Sequence, residues 1–144
     1  MKIASAALED IKMNVKIKMS ALWGSVMFCY IYADYFELFV PADVPGSLQT
    51  ILKREMGPLR LPTQGFLLGG SLMLAIPSVM IFLSVALKPN LNRWLNIIFG
   101  VIYTVIILIT MWFSAVYLFF GIIEVVLTGL VVWYAWNWPK QETT

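Results

Sequence analysis

The sequence predicts an all-α protein, a four-transmembrane-helix bundle with a short amphipathic interfacial helix in its first outer loop. Three observations carry that prediction. Of the 144 residues 60% are hydrophobic and only 12% charged, with a mean hydropathy of +0.83. Soluble domains run at about 45–50% apolar and about 25% charged, so lipid has to cover part of this surface. Four apolar stretches each approach the roughly 20 residues that cross a hydrocarbon core of about 30 Å. Basic residues and tryptophans gather at the ends of those stretches, as membrane interfaces require.

Residues 1–18 read as a cytoplasmic interfacial arm, in which Val15-Lys16-Ile17-Lys18 alternates as well as it spirals. The apolar run behind Lys12, Lys16 and Lys18 is too long for the core of a cleaved signal, which is about 7–15 residues, and no small-x-small site closes it. It is the first span, about 19–40, stopped by Pro41. In the loop that follows, Ser47 is placed to cap a helix begun by Pro45-Gly46 and stopped by Gly57-Pro58. Leu48, Ile51, Leu52 and Met56 share one face of it, with Gln49, Lys53 and Arg54 opposite. Such a helix lies on the outer surface, either packed over the bundle or acting as a lid.

The second span, about 64–87, carries Pro77, which removes a backbone donor and predicts a kink, and ends at Lys88-Pro89-Asn90. The third and fourth spans, about 94–113 and 116–138, are separated only by Ser114 and Ala115. As one helix they would run for about 68 Å, twice the membrane, so the chain must reverse near Ser114. Residues 139–144 form a cytoplasmic tail, and residues 19–138 a single domain. Lys2, Lys12, Lys16, Lys18, Lys88, Arg93 and Lys140 fall on one side, Lys53, Arg54 and Arg60 on the other. The positive-inside rule therefore puts both termini in the cytoplasm. Trp23, Trp94, Trp133, Trp136 and Trp138 then lie toward inner ends and Trp112 toward an outer end.

The chain has no histidine and one cysteine, Cys29. Histidine-ligated metals, haem, Ser-His-Asp and Cys-His nucleophiles and CxxC chemistry are thereby excluded. No enzyme activity, cofactor or resident metal is expected. A net charge of +2 without a basic run excludes a nucleic-acid partner. The informative residues are ionisable groups inside spans, each of which costs several kcal/mol unless paired, neutralised or hydrated. There are three: Asp34 and Glu37 in the first span and Glu124 in the fourth. Tyr30, Asp34 and Glu37 follow an i, i+4, i+7 spacing on one helical face. Asp34 lies about 10 Å and Glu124 about 13 Å below the same outer boundary, Glu37 closer to the interface, where water reaches it.

Gln64, Ser71, Thr110, Tyr103 and, one turn from Glu124, Thr128 add polar side chains near this level. The expectation is an outward-facing polar cavity with Asp34 and Glu124 on its wall. Carboxyl groups within about 4–6 Å share protons, so the site would exchange a proton for a small cationic or amphipathic ligand, or hold a hard cation through oxygens. The alternative is that Glu124, hydrogen-bonded to Tyr30 or Tyr103, only ties helices together. Ser25, Cys29 and Ala33 form one small-residue stripe and Gly65 and Gly69 another; each is an intrachain contact or a homodimer seam, the former favoured within a four-span chain. Gly121 and Gly129 flank Glu124 and permit a neighbour to approach at that level.

The stretch from Ser20 to Phe36 (SALWGSVMFCYIYADYF) stands with Thr63-Gln64-Gly65, Ile76-Pro77-Ser78 and Lys88-Pro89. With Asn92-Arg93-Trp94-Leu95-Asn96, Tyr103-Thr104 and Glu124, it resembles a family of small bacterial membrane proteins of unknown function. The resemblance extends over nearly all of residues 18–138. It implies four spans and the bacterial cytoplasmic (inner) membrane, and it implies no activity or site. The general plan is also similar to that of small multidrug transporters, whose first helix bears an essential acid, the part Asp34 or Glu37 would play. It is similar as well to DoxX-like proteins, which are associated with thiol and quinone redox systems. Two functions follow for comparison: a binding or transport protein using Glu124 and Asp34, or an accessory subunit whose acids hold helices together.

Overall fold

The computed structural model describes residues 12–39, 55–56, 59–60 and 63–139. Four long helices make up nearly all of it: α1 (Val15–Glu37), α2 (Thr63–Ala86), α3 (Pro89–Thr110) and α4 (Ala115–Trp136). Between α1 and α2, β1 (Glu55–Met56) and β2 (Leu59–Arg60) pair antiparallel, Glu55 opposite Arg60 and Met56 opposite Leu59. Met56 is therefore extended and does not close a surface helix begun at Leu48; residues 48–54, including Lys53 and Arg54, lie outside the described residues.

α1 starts four residues before the expected span. The Asn14 side chain accepts from the Lys16 amide at 2.9 Å and caps it. Lys16 and Lys18 are thus helical, not part of an arm. The Lys16 ammonium donates to the Leu87 carbonyl at 2.6 Å and the Val85 carbonyl at 3.3 Å, satisfying the open end of α2. Lys18 lies 5.4 Å from the centre of the Tyr134 ring. Pro89 opens α3 at its first turn, where a missing N–H costs nothing. The helix therefore begins before Asn92 and not at Trp94. Ser114 caps α4 through its hydroxyl, which accepts from the Tyr117 amide at 3.1 Å.

α1 packs between α2 and α4, and α4 between α1 and α3; α2 and α3 touch little. The buried positions of α1 are Met19, Trp23, Val26, Ala33 and Glu37; those of α4 are Gly121, Glu124, Thr128, Val131 and Ala135. Both follow the three-and-four spacing of a left-handed bundle seam. Trp23, with no exposed surface, lies in the core because it falls on this stripe. The core comprises Trp23, Val26, Met80, Tyr103, Ile107, Met111 and Val131. Phe82, Leu68, Ile109, Trp112 and Trp136 are among the large apolar side chains that face outward.

α2, α3 and α4 are long and apolar enough to cross a membrane. α1 is 23 residues long but carries Lys16, Lys18, Asp34 and Glu37. Of the glycines, Gly100 and Gly121 are demanded by close approach. A Cβ at Gly100 would meet Val132 Cγ2 at 2.7 Å, and one at Gly121 would meet Met111 Cβ at 2.7 Å. Gly69 and Gly129 face open space, so neither makes the expected intrachain contact. In the other small-residue stripe only Ala33 is buried; Ser25 is exposed and Cys29 half-buried.

α2 runs through Pro77 without a break. Proline cannot donate to the carbonyl four residues back, which is that of Met73. The Tyr103 hydroxyl of α3 donates to that carbonyl at 2.6 Å. A side chain from a neighbouring helix thus supplies the missing rung, the usual condition for proline inside an apolar span.

Candidate functional site

Asp34 and Glu37 sit toward the end of the bundle marked by Ser114, where α1 finishes and α4 begins, and Glu124 lies near the middle of α4. Asp34 is exposed and Glu37 buried at 1%, because the buried stripe of α1 runs through Ala33 and Glu37 and leaves Asp34 beside it. Glu37 is thus a core residue and not a hydrated one at an interface. Each of the two reaches α4. The Tyr117 hydroxyl donates to Asp34 Oδ1 at 2.9 Å, and the Ser114 hydroxyl donates to Glu37 Oε2 at 2.7 Å.

Glu124, on α4, is 5% exposed, and its Oε1 has no hydrogen-bond partner among the described residues. Cys29, Tyr30 and Asp34 of α1 and Tyr117 of its own helix lie within electrostatic reach of it. Three buried atoms in this region have no partner among the described residues: Glu124 Oε1, Glu37 Oε1 and the Tyr30 hydroxyl. An unpartnered carboxyl oxygen in an apolar interior costs several kcal/mol unless a proton or ligand satisfies it. Among the described residues no three of His, Cys, Asp and Glu converge as metal ligands.

The other expected residues divide. Tyr30 is half-buried and packs edge-to-face on Tyr103, centroids 6.0 Å apart. Tyr103 is buried, but its hydroxyl serves Met73 and not Glu124. The Thr128 hydroxyl donates to the Glu124 carbonyl at 2.8 Å and accepts from Thr104 at 2.7 Å, joining α4 to α3 one turn from the acid. Thr110 bonds only back into its own helix, to Ile106 and Ile107 carbonyls, and does not join the cluster. The Gln64 side chain lies outside the described part of the structure. A groove of about 370 Å³ at the same end is lined by Phe36, Phe39, Ala115, Val116, Phe119 and Phe120, and includes none of the acids.

Two sets of residues escaped the sequence reading. Ser114 and Tyr117 are the partners of the first-helix acids. At the opposite end, Trp23 Nε1 donates to Asn96 Oδ1 at 2.7 Å, and the Asn96 amide donates to Asn92 Oδ1 at 2.7 Å and to the Asn92 carbonyl at 2.9 Å. Asn92 Nδ2 donates to the Ser84 carbonyl at 2.6 Å, and the Ser84 hydroxyl to Asn96 Oδ1 at 3.3 Å. All four side chains are fully buried. Two asparagines at i, i+4 in an apolar helix were the available signal.

Ser114 serves two helices at once. Its replacement by alanine removes the α4 cap, about 1 kcal/mol, and leaves Glu37 without a partner on either oxygen, a further 1–3 kcal/mol or so. Thermal unfolding in detergent is expected to show a loss of about 2–4 kcal/mol. Tyr117→Phe, which removes one interhelical bond at the rim, should cost only about 0.6 kcal/mol.

These helices, sheathed in apolar side chains, define a helical-bundle protein compatible with a membrane. The chain belongs to a family of unknown function, DUF6326, whose family model matches residues 7–144. No curated protein and no solved structure matches it.

Proposed function

We propose that this is a four-span protein of the bacterial cytoplasmic membrane, with both termini inside, that binds a small cationic ligand from the outer side. Glu124 gives up a proton as the ligand enters. The observation that carries this reading is Glu124 Oε1, buried and without a partner in the α1–α4 seam. α1 counts as the fourth span because its core face packs between α2 and α4 as fully as theirs do. Its lysines sit at one end, where their ammonium groups reach an interface.

The alternative, an accessory subunit held together by its acids, is favoured by the Asp34–Tyr117 and Glu37–Ser114 bonds. The two readings divide the acids between them: Asp34 and Glu37 clasp α1 to α4, and Glu124 is left for the ligand. Proton release can be followed in weakly buffered detergent solution on adding sodium, n-butylammonium or tetraethylammonium chloride. At least one of these cations is expected to release protons from the wild type and none from Glu124→Gln. Equal release from both proteins removes Glu124 as the exchanging group and leaves the accessory reading.

A further inference from the structure

We infer that the ligand of Glu124 is a protonated primary amine. The inference rests on the cation-binding reading above and names the chemistry of what binds. Two buried atoms, Glu124 Oε1 and the Tyr30 hydroxyl, lack hydrogen-bond partners among the described residues, and the two side chains lie within electrostatic reach of each other. A carboxylate oxygen accepts, and a phenol oxygen accepts as well as donates. A primary ammonium brings three N–H donors on one compact head and satisfies both oxygens at once. A quaternary ammonium brings none.

The competing cations fit less well. Hard metal ions take six or more oxygens, and among the described residues no cluster of acids converges to supply them. A quaternary group would need open aromatic faces around it. Here the Tyr30 and Tyr103 rings meet edge-to-face, 88° between planes, so that the edge of one takes up a face of the other and no cage of parallel faces is formed by this pair. The Tyr103 hydroxyl is already committed to the Met73 carbonyl. Asp34, exposed at the rim, adds a second negative group on the way to Glu124.

The exchange is simple in its balance. The ammonium enters with its charge, the carboxyl proton of Glu124 leaves to solvent, and no covalent bond to carbon or nitrogen forms or breaks. The titratable groups facing Glu124 are Cys29, Tyr30 and Asp34 from α1 and Tyr117 on α4 itself, with Tyr103 of α3 behind Tyr30. α2 contributes no titratable side chain.

A primary ammonium arrives either as a soluble amine or as the headgroup of an aminolipid, and the experiment separates the two. Calorimetric titration of the full chain in detergent compares n-butylammonium with n-butyltrimethylammonium. Butylammonium is expected to bind at least about tenfold more tightly, since the methylated head leaves both oxygens unpaired. Tyr30→Phe keeps the ring packing and should weaken butylammonium about fivefold while leaving the quaternary compound unaffected, and it serves if Glu124→Gln does not fold. In nanodiscs, competition by phosphatidylethanolamine but not phosphatidylcholine assigns the lipid headgroup; its absence assigns a soluble amine. Equal or tighter binding of the trimethyl compound overturns the amine assignment and leaves the cation site standing. Butylammonium binding unchanged in Tyr30→Phe and Glu124→Gln overturns the location. No binding and no proton release with any cation overturns the functional reading itself.

Discussion

Replacing Asn96 by leucine is expected to lower the stability of the bundle by about 3 kcal/mol or more, because three buried groups lose their partners at about 1–3 kcal/mol each. Trp23 Nε1 and the Ser84 hydroxyl donate to Asn96 Oδ1, and Asn92 Oδ1 accepts from its amide. None of these residues has exposed surface through which water or lipid headgroups could substitute. Leucine has the same branched, four-heavy-atom side chain as asparagine, so no cavity is opened and the loss reports on the missing hydrogen bonds together with the bulk of the two methyl groups. Ser84→Ala, which removes only the long 3.3 Å bond, should cost about 1 kcal/mol or less. Thermal denaturation of the purified protein in detergent ranks the two. An Asn96→Leu protein as stable as the wild type would show that the cluster contributes nothing net.

The second large effect is expected at Gly121. An alanine Cβ there lands 2.7 Å from Met111 Cβ and 3.7 Å from Met111 Cα. The obstacle is the root of a side chain in the turn between α3 and α4, and no rotamer change removes it. The start of α4 has to shift, at a cost of about 1–3 kcal/mol. Gly100→Ala should cost a comparable amount, since the atom in the way is Cγ2 of Val132, a β-branched side chain that a helix holds in one rotamer. Gly129→Ala meets nothing within 4 Å and should be neutral or slightly stabilising, alanine being the better helix former. Because Glu124 lies one turn from Gly121, Gly121→Ala should also weaken amine binding, whereas Gly129→Ala should not.

Much of the fold was legible in the sequence. The four apolar stretches are the four helices, and the reversal at Ser114 follows from length alone. The ends were misplaced for a physical reason: polar residues at a span's edge were taken for loop. Lys16 lies inside α1 because its long stem carries the charge to the end of α2. Lys88-Pro89-Asn90 reads in the sequence as a stop, yet proline is well suited to a helix's first turn and opens α3. That second error hid the Asn92–Asn96 pair, since a span beginning at Trp94 leaves Asn92 outside it.

The candidate site was legible only in part. Asp34, Glu37 and Glu124 stand out because ionisable groups are rare in apolar helices. Which of them would be occupied was not readable. That depends on how far each helix is rotated about its axis, and a step of one residue separates buried Ala33 from exposed Asp34. Tyr117 and Ser114 could not be matched to their acids for the same reason. Met56 illustrates a different limit. Its spacing suits a helical face, but pairing with Leu59 takes it into an extended conformation.

The phenol that completes α2 has a consequence for biogenesis. α2 leaves the ribosome before α3, with the Met73 carbonyl open opposite Pro77. In the folded bundle the donor to that carbonyl is Tyr103, so the hydrogen bonding of α2 is complete only with α3 in place. Insertion and packing are thereby coupled in time: the third helix closes a bond inside the second, and the pair matures together.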